Sequence, residues 1–140
     1  MISPTAMVFV IDDDQSVRKS LARLLDAANY KAELFNSASE FLSRSTYSGP
    51  SCIVVDVRMP GLNGIDLQKT LIERGREEQL IFITAHGDIP MCAKAMKAGA
   101  VDFLPKPFKP KQLLESVERA LSRSAGERLR ATEGNHARGL

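Results

Sequence analysis

Four short stretches hold the residue types that could do chemistry. They are the acid run Asp12-Asp13-Asp14, a lone carboxylate at Asp56, a hydroxyl at Thr84 and an ammonium at Lys106. Each closes an apolar run, so a fold that gathers those run ends would put several carboxylates at one rim. Like charges in a crevice are costly until something neutralises them. A hard divalent cation does this: Mg²⁺ takes one or two carboxylates, keeps waters and readily adds a phosphate oxygen. A backbone carbonyl in the Val57-Arg58 turn offers a further ligand. Lys106, between Pro105 and Pro107, has a restrained backbone and brings a point charge on a long stem. With Thr84 and the N–H of the small residue after it, these groups form a cradle for a phosphoryl group. A carboxylate at its centre could act as a nucleophile and form an acyl phosphate.

The elements that must deliver these groups show in the apolar pattern. Met7 to Ile11 and Leu80 to Ile83 are continuous apolar runs, the mark of strands covered on both faces; Cys52 to Asp56, apolar until its last residue, reads as the third strand and Val101 to Leu104 as the fifth. Lys31 to Phe35 is more polar and reads as an edge strand. Between the runs lie helical patterns: Val17, Leu21, Leu24, Leu25 and Ala28, then Ile65, Leu67, Leu71 and Ile72. Ser37 to Glu40 reads as a capping box for a short helix with Phe41 and Leu42. A fourth helix runs from Met91 to Ala98, with Asp88 as its cap, Pro90 in its first turn and Gly99 at its end. A fifth follows Lys109-Pro110 with the stripe Leu113, Leu114, Val117, Ala120 and Leu121.

This strand–helix alternation, five times over, predicts an α/β domain with a parallel sheet and helices on both faces. Sites in such sheets form at the carboxyl ends of the strands. Asp13 and Asp56 share a site only if strands one and three are neighbours, which predicts the doubly wound order 2-1-3-4-5. Residues 1–123 read as this domain. Residues 124–140 lose the apolar pattern and read as a tail or the start of a linker.

Composition sets wider bounds. The chain has 140 residues, 44% hydrophobic and 26% charged, with a formal charge of +2. That fits one globular domain, and the charge is too small to argue for nucleic acid or an anionic membrane. Nothing approaches the ~18–20 apolar residues that span a bilayer. The N-terminus lacks the basic region of a secretory signal, so a cytoplasmic protein is expected. Cys52 and Cys92 fit no metal or redox motif and read as reduced, mostly buried thiols.

Taken together the constellation resembles the receiver domain of two-component response regulators. The resemblance covers about residues 6 to 123. It rests on the acid cluster after strand one, on Asp56 followed by Met59-Pro60-Gly61 and Gly64, on Thr84-Ala85 and on Lys106-Pro107. Asp56 to Gly61, Thr84 to Pro90 and Met96 to Phe103 are most similar to the FixJ-type regulators. The resemblance implies a CheY-like fold with Asp56 as phosphoacceptor. It implies Asp13 as a direct Mg²⁺ ligand, Asp12 acting through water, and the Arg58 carbonyl completing the protein ligands. Thr84 and Lys106 would hold phosphoryl oxygens, Phe103 would be the aromatic switch, and Lys106-Pro107 would be cis. The implied partners are a sensor histidine kinase and a second copy or output partner at helix four and strand five. The chain would take up and slowly lose one phosphoryl group rather than turn over as an enzyme. Regulators of this type usually continue into a helix-turn-helix domain that binds DNA. This chain ends before one, which leaves a stand-alone receiver or one domain of a longer transcriptional regulator.

Plainer readings compete at several positions. Asp14 suits a helix cap as well as an electrostatic role. His86 either borders the site and tunes loss of the phosphoryl group, or is an ordinary loop histidine. Phe103 alone would be core, and the Ala93, Ala95, Met96 and Ala98 surface alone would be helix packing. Two rivals remain for the whole chain. A haloacid-dehalogenase-type phosphatase also uses a strand-end Asp, Mg²⁺, Thr and Lys, but carries a second Asp two residues on, where Arg58 stands. A flavodoxin-type binding module would need a Ser/Thr/Gly-rich loop where three aspartates lie.

Overall fold

The computed structural model describes residues 5–76, 78–85 and 89–138, with side chains described as far as Gly126. In chain order the elements are β1 (Met7–Ile11), α1 (Gln15–Ala27), β2 (Lys31–Phe35), α2 (Ala38–Leu42), β3 (Ser51–Asp56), α3 (Gly64–Glu73), β4 (Gln79–Thr84), α4 (Ile89–Lys97), β5 (Asp102–Pro105) and α5 (Pro110–Arg138). The five strands form one parallel sheet in the order β2-β1-β3-β4-β5. This is the order expected from placing Asp13 and Asp56 together.

Alternation along the strands explains the two layers. Phe9, Ile11, Ile53, Val55 and Phe82 point to the side covered by Phe41 of α2, Leu67 and Leu71 of α3, and Ala95 of α4. Val8, Val10, Cys52, Val54, Ile81 and Ile83 point to the other side, against Leu21 and Leu25 of α1 and Leu113 and Val117 of α5. Successive strand residues face opposite ways, so a strand covered on both sides must be apolar at every position. β3 and β4 are buried throughout, whereas β2, at the edge, shows polar residues to solvent.

The caps follow local chemistry. Asp14 Oδ1 accepts from the Ser16 N–H at 2.8 Å and closes the start of α1. This hydrogen bonding, led by the Ser16 hydroxyl, holds its carboxyl below the usual value. Asn29 closes the helix in the left-handed region at φ 66°. Ser37 Oγ accepts from the Glu40 N–H at 3.1 Å. A reciprocal capping box, absent from the sequence expectations, joins Asn63 and Asp66 at α3.

Several expectations shift. Strands β3 and β4 take in the polar ends Ser51, Gln79 and Thr84, which are buried. Helix α4 begins at Ile89, ahead of Met91, with Pro90 in its first turn; its expected cap, Asp88, lies outside the described residues. Cys52 is buried, and burial pushes its thiol up to about 12, but Cys92 on α4 is only partly covered. The largest difference is α5. Its backbone stays helical to Arg138, through residues that read as a tail or the start of a linker. Apolar periodicity does fade there, yet Glu127, Arg128, Leu129, Arg130 and Ala131 are all good helix formers.

Gly64 opens α3 directly behind β3. A Cβ there would lie 2.8 Å from the Asp56 carbonyl oxygen and 3.1 Å from Val57 Cα, both backbone atoms. Gly64→Ala is therefore expected to cost about 1–3 kcal/mol through overpacking. Urea unfolding should show a lower midpoint at an unchanged slope, and an unchanged midpoint would contradict this packing.

Candidate functional site

The carboxyl ends of β1, β3, β4 and β5 meet at one rim. At β1, the Asp12 N–H donates to the Phe35 carbonyl at 3.1 Å, which extends the ladder one residue past the strand. Asp12 Oδ1 accepts from the Asp14 N–H at 2.9 Å. At β3, Asp56 Oδ1 accepts from the Arg58 N–H at 2.9 Å and Asp56 Oδ2 from Lys106 Nζ at 3.2 Å. Asp56 is 9% exposed, enough to be reached from solvent at the strand mouth. Lys106 Nζ also stands 3.7 Å from Asp12 Oδ2. Thr84 is buried at the end of β4, and its carbonyl accepts from the Lys106 N–H at 2.6 Å. The Lys106-Pro107 peptide is cis.

The carboxylates of Asp12, Asp13 and Asp56 each offer an oxygen within 4.8 Å of the others. Among the described residues one ammonium, Lys106, stands within 4.0 Å of any of these three acids, which leaves them short of positive charge. Burial raises the Asp12 carboxyl above the ordinary value, opposed by the Asp14 N–H and by Lys106; the charges of Asp56 and Asp13 add smaller contributions to the rise. Asp12 Oδ2 is buried and, among the described residues, accepts no hydrogen bond. An orphaned oxygen facing two other carboxylates fits a hard cation, which would satisfy it and relieve the repulsion together.

Of the residues singled out in the sequence, Asp12, Asp13, Asp56 and Lys106 converge directly. Thr84 joins them through the Lys106 main chain. Arg58 contributes its N–H to Asp56, while its side chain is exposed. Phe103 lies on β5, half-buried, with its ring 5.9 Å from that of Phe82, apart from the acids. His86 lies outside the described residues. Asp14 serves as the α1 cap. Two contributors went unread in the sequence. Asn63, with Asp66, anchors the helix start that brings Gly64 against Asp56, and its Asn-x-x-Asp spacing was a legible cue. Arg18 Nη1 donates to the Asp12 carbonyl at 2.5 Å. Its only cue was a cation in the first turn of a helix.

Comparison with known proteins identifies the family and the fold. The family described as the response regulator receiver domain matches residues 8–118. The response regulator protein TodT of Pseudomonas putida is 41% identical over 131 residues, which is 94% of this chain and 58% of TodT. The transcriptional regulatory protein FixJ of Azorhizobium caulinodans is 46% identical over 118 residues, 84% of this chain and 56% of FixJ. The chain thus spans little more than half the length of either relative. Among solved structures, the response regulator StyR superposes with a TM-score of 0.86 at 46% identity, covering 96% of this chain and 67% of StyR.

The raised Asp12 carboxyl makes a pH-dependent prediction. Between the ordinary value of 3.8 and its higher folded value, the folded state binds more protons than the unfolded one. Stability from this group is therefore present at low pH and lost as pH rises through the folded value. In chelator-containing buffer, Asp12→Asn should raise the thermal midpoint at pH 7, and the gain should shrink as pH falls toward 3.8. A variant that melts lower at neutral pH would show that the acid is not a net cost there.

Proposed function

The chain belongs to the response regulator receiver family, and from that premise we propose that Asp56 accepts a phosphoryl group from a phosphohistidine of a sensor histidine kinase. Receiver domains of response regulators work with such kinases. The observation that carries the proposal is the placement of Asp56, 3.2 Å from Lys106 Nζ, inside the acid cluster. An Asp56 carboxylate oxygen attacks phosphorus and the P–N bond breaks. Its electron pair leaves with the imidazole, and an acyl phosphate remains on Asp56.

Asp13, Asp56 and the Arg58 carbonyl would hold Mg²⁺, with Asp12 acting through water. The ion, when bound, neutralises phosphoryl oxygens as they approach the carboxylates. Lys106 is already aimed at Asp56 and would pair with one of those oxygens; the Thr84 hydroxyl would donate to another. Drawing Thr84 toward the new charge loosens the space beside Phe82, into which Phe103 can turn. A local electrostatic change then biases the α4–β5 face between two arrangements. That face carries Ile89, 82% exposed, and Met96, 40% exposed, which suits a second copy or an output partner. TodT and FixJ are named as a response regulator and a transcriptional regulatory protein. By that likeness this chain would serve transcriptional control in the cytoplasm, with DNA contacted by an output domain joined to the receiver in a longer protein. Each cycle would consume one phosphoryl group and end in slow self-dephosphorylation, without turnover of a free substrate.

Incubation with a small phosphodonor and Mg²⁺, read by intact-protein mass spectrometry, tests this. Wild type should gain one phosphoryl mass, and Asp56→Ala should gain none. Label that survives Asp56→Ala would sink the proposal. Steady hydrolysis of phosphate esters would favour the phosphatase, despite Arg58 at the position of its second acid.

A further inference from the structure

We infer that Arg18 is a positioning residue for the metal-binding acids, an inference that rests on the Mg²⁺ reading above. Arg18 is the fourth residue of α1. The partial positive charge at a helix start disfavours a cation there, so the position asks for compensation. The compensation is at the acid turn. Arg18 Nη1 donates to the Asp12 carbonyl oxygen at 2.5 Å, six residues back along the chain. Among the described residues Arg18 forms no ion pair within 4.0 Å, so the main-chain oxygen is its defined contact.

That oxygen belongs to the peptide joining Asp12 to Asp13. Holding this peptide in place limits ψ of Asp12 and φ of Asp13, the two rotations that swing their side chains toward or away from the site. The other ties on the turn act elsewhere. The Asp12 N–H is bound to Phe35, and the Asp12 carboxylate to the Asp14 N–H. Arg18 is thus the tie from α1 to the link between the two acids. Without a bound cation, repulsion among Asp12, Asp13 and Asp56 pushes this link outward. A charged donor on its carbonyl resists that movement and lowers the local negative potential. The ion then meets acids already close to their binding arrangement, and less of its binding energy goes into closing the turn. The guanidinium suits this better than an ammonium, because its planar fork loses less freedom per hydrogen bond.

The test is calorimetric titration of Mg²⁺ into the whole chain for wild type, Arg18→Gln and Arg18→Lys, with circular dichroism to verify folding. Outer-shell partners of metal ligands are worth about 10-fold or more in affinity, so Arg18→Gln should weaken Mg²⁺ binding by about 10-fold. Arg18→Lys, which keeps the charge and a donor, should recover part of the loss. With a small phosphodonor, the half-saturating Mg²⁺ concentration should rise in step, while the rate at saturating Mg²⁺ changes much less. Wild type that binds no Mg²⁺ would defeat the metal reading itself. Wild type that binds, beside an Arg18→Gln variant within about twofold of it, would overturn this inference alone. A variant with unchanged Mg²⁺ affinity but a lower saturated rate would also overturn it, by placing Arg18 on the transferred group. If Arg18→Gln fails to fold, Arg18→Lys decides: weaker Mg²⁺ binding than wild type would support the inference, and an affinity equal to wild type would overturn it.

Discussion

Repulsion among Asp12, Asp13 and Asp56, answered inside the fold chiefly by Lys106, is the constraint around which this structure is arranged. Three acids would not stay close on a flexible loop. Here each is fixed from behind. Asp56 ends a fully buried strand, and the close approach of Gly64 leaves the backbone beneath it no room to retreat. The Asp12 main chain is bonded to Phe35 on one side and to Arg18 on the other. Lys106 is aimed through its own N–H bond to the Thr84 carbonyl. Burial of apolar surface on both faces of the sheet supplies the stability that offsets this concentration of charge.

Much of the architecture was legible because parallel strands covered on both faces must be apolar at every position. Three such runs, ending at Ile11, Val55 and Ile83, stand out in 140 residues. The strand order followed from a chemical demand, that Asp13 and Asp56 meet, and the polar character of Lys31 to Phe35 marked its edge position. Boundaries were less legible. Ser51, Gln79 and Thr84 break the apolar pattern at the strand ends, yet ladder pairing keeps them in the sheet. The length of α5 was invisible, since a helix without an apolar stripe leaves no periodic trace. Within the site, residues that act through side-chain chemistry at strand ends could be found from type and place. Arg18 could not, because an arginine on a helix face looks the same whether it is solvated or bonded to a neighbouring turn. The Asn63–Asp66 box, by contrast, has a sequence signature in its Asn-x-x-Asp spacing.

The far side of the rim has its own polar network. Asp102 at the start of β5 accepts from Ser116 Oγ at 2.6 Å and from Arg119 Nη2 at 2.7 Å, both on α5, and from the Phe103 N–H at 2.8 Å. The start of β5 is thus tied to α5 while its end carries the chain to Lys106. Phe103 sits between these anchors, its ring leaning on Phe82 of β4. The backbone N–H of Phe103 is thus held by a side chain that is itself tied to the helix behind it. On the opposite layer, the buried Gln68 of α3 donates to the Ala95 carbonyl of α4 at 3.0 Å, so α4 is coupled to its neighbour by a directional bond as well as by packing.

The place of β3 at the middle of the sheet has a consequence for how the site comes apart. β3 is laddered to β1 on one flank and to β4 on the other, whereas β5 is laddered only to β4. Releasing the backbone under Asp56 means breaking two ladders and exposing a buried strand, close to the cost of unfolding the whole domain. Releasing Lys106 means breaking one short ladder at an edge. The two charges that face each other across 3.2 Å thus belong to parts of the molecule with different lifetimes against local opening. The Asp56 carboxylate is held by the centre of the sheet, and the cation opposite it by the sheet's edge.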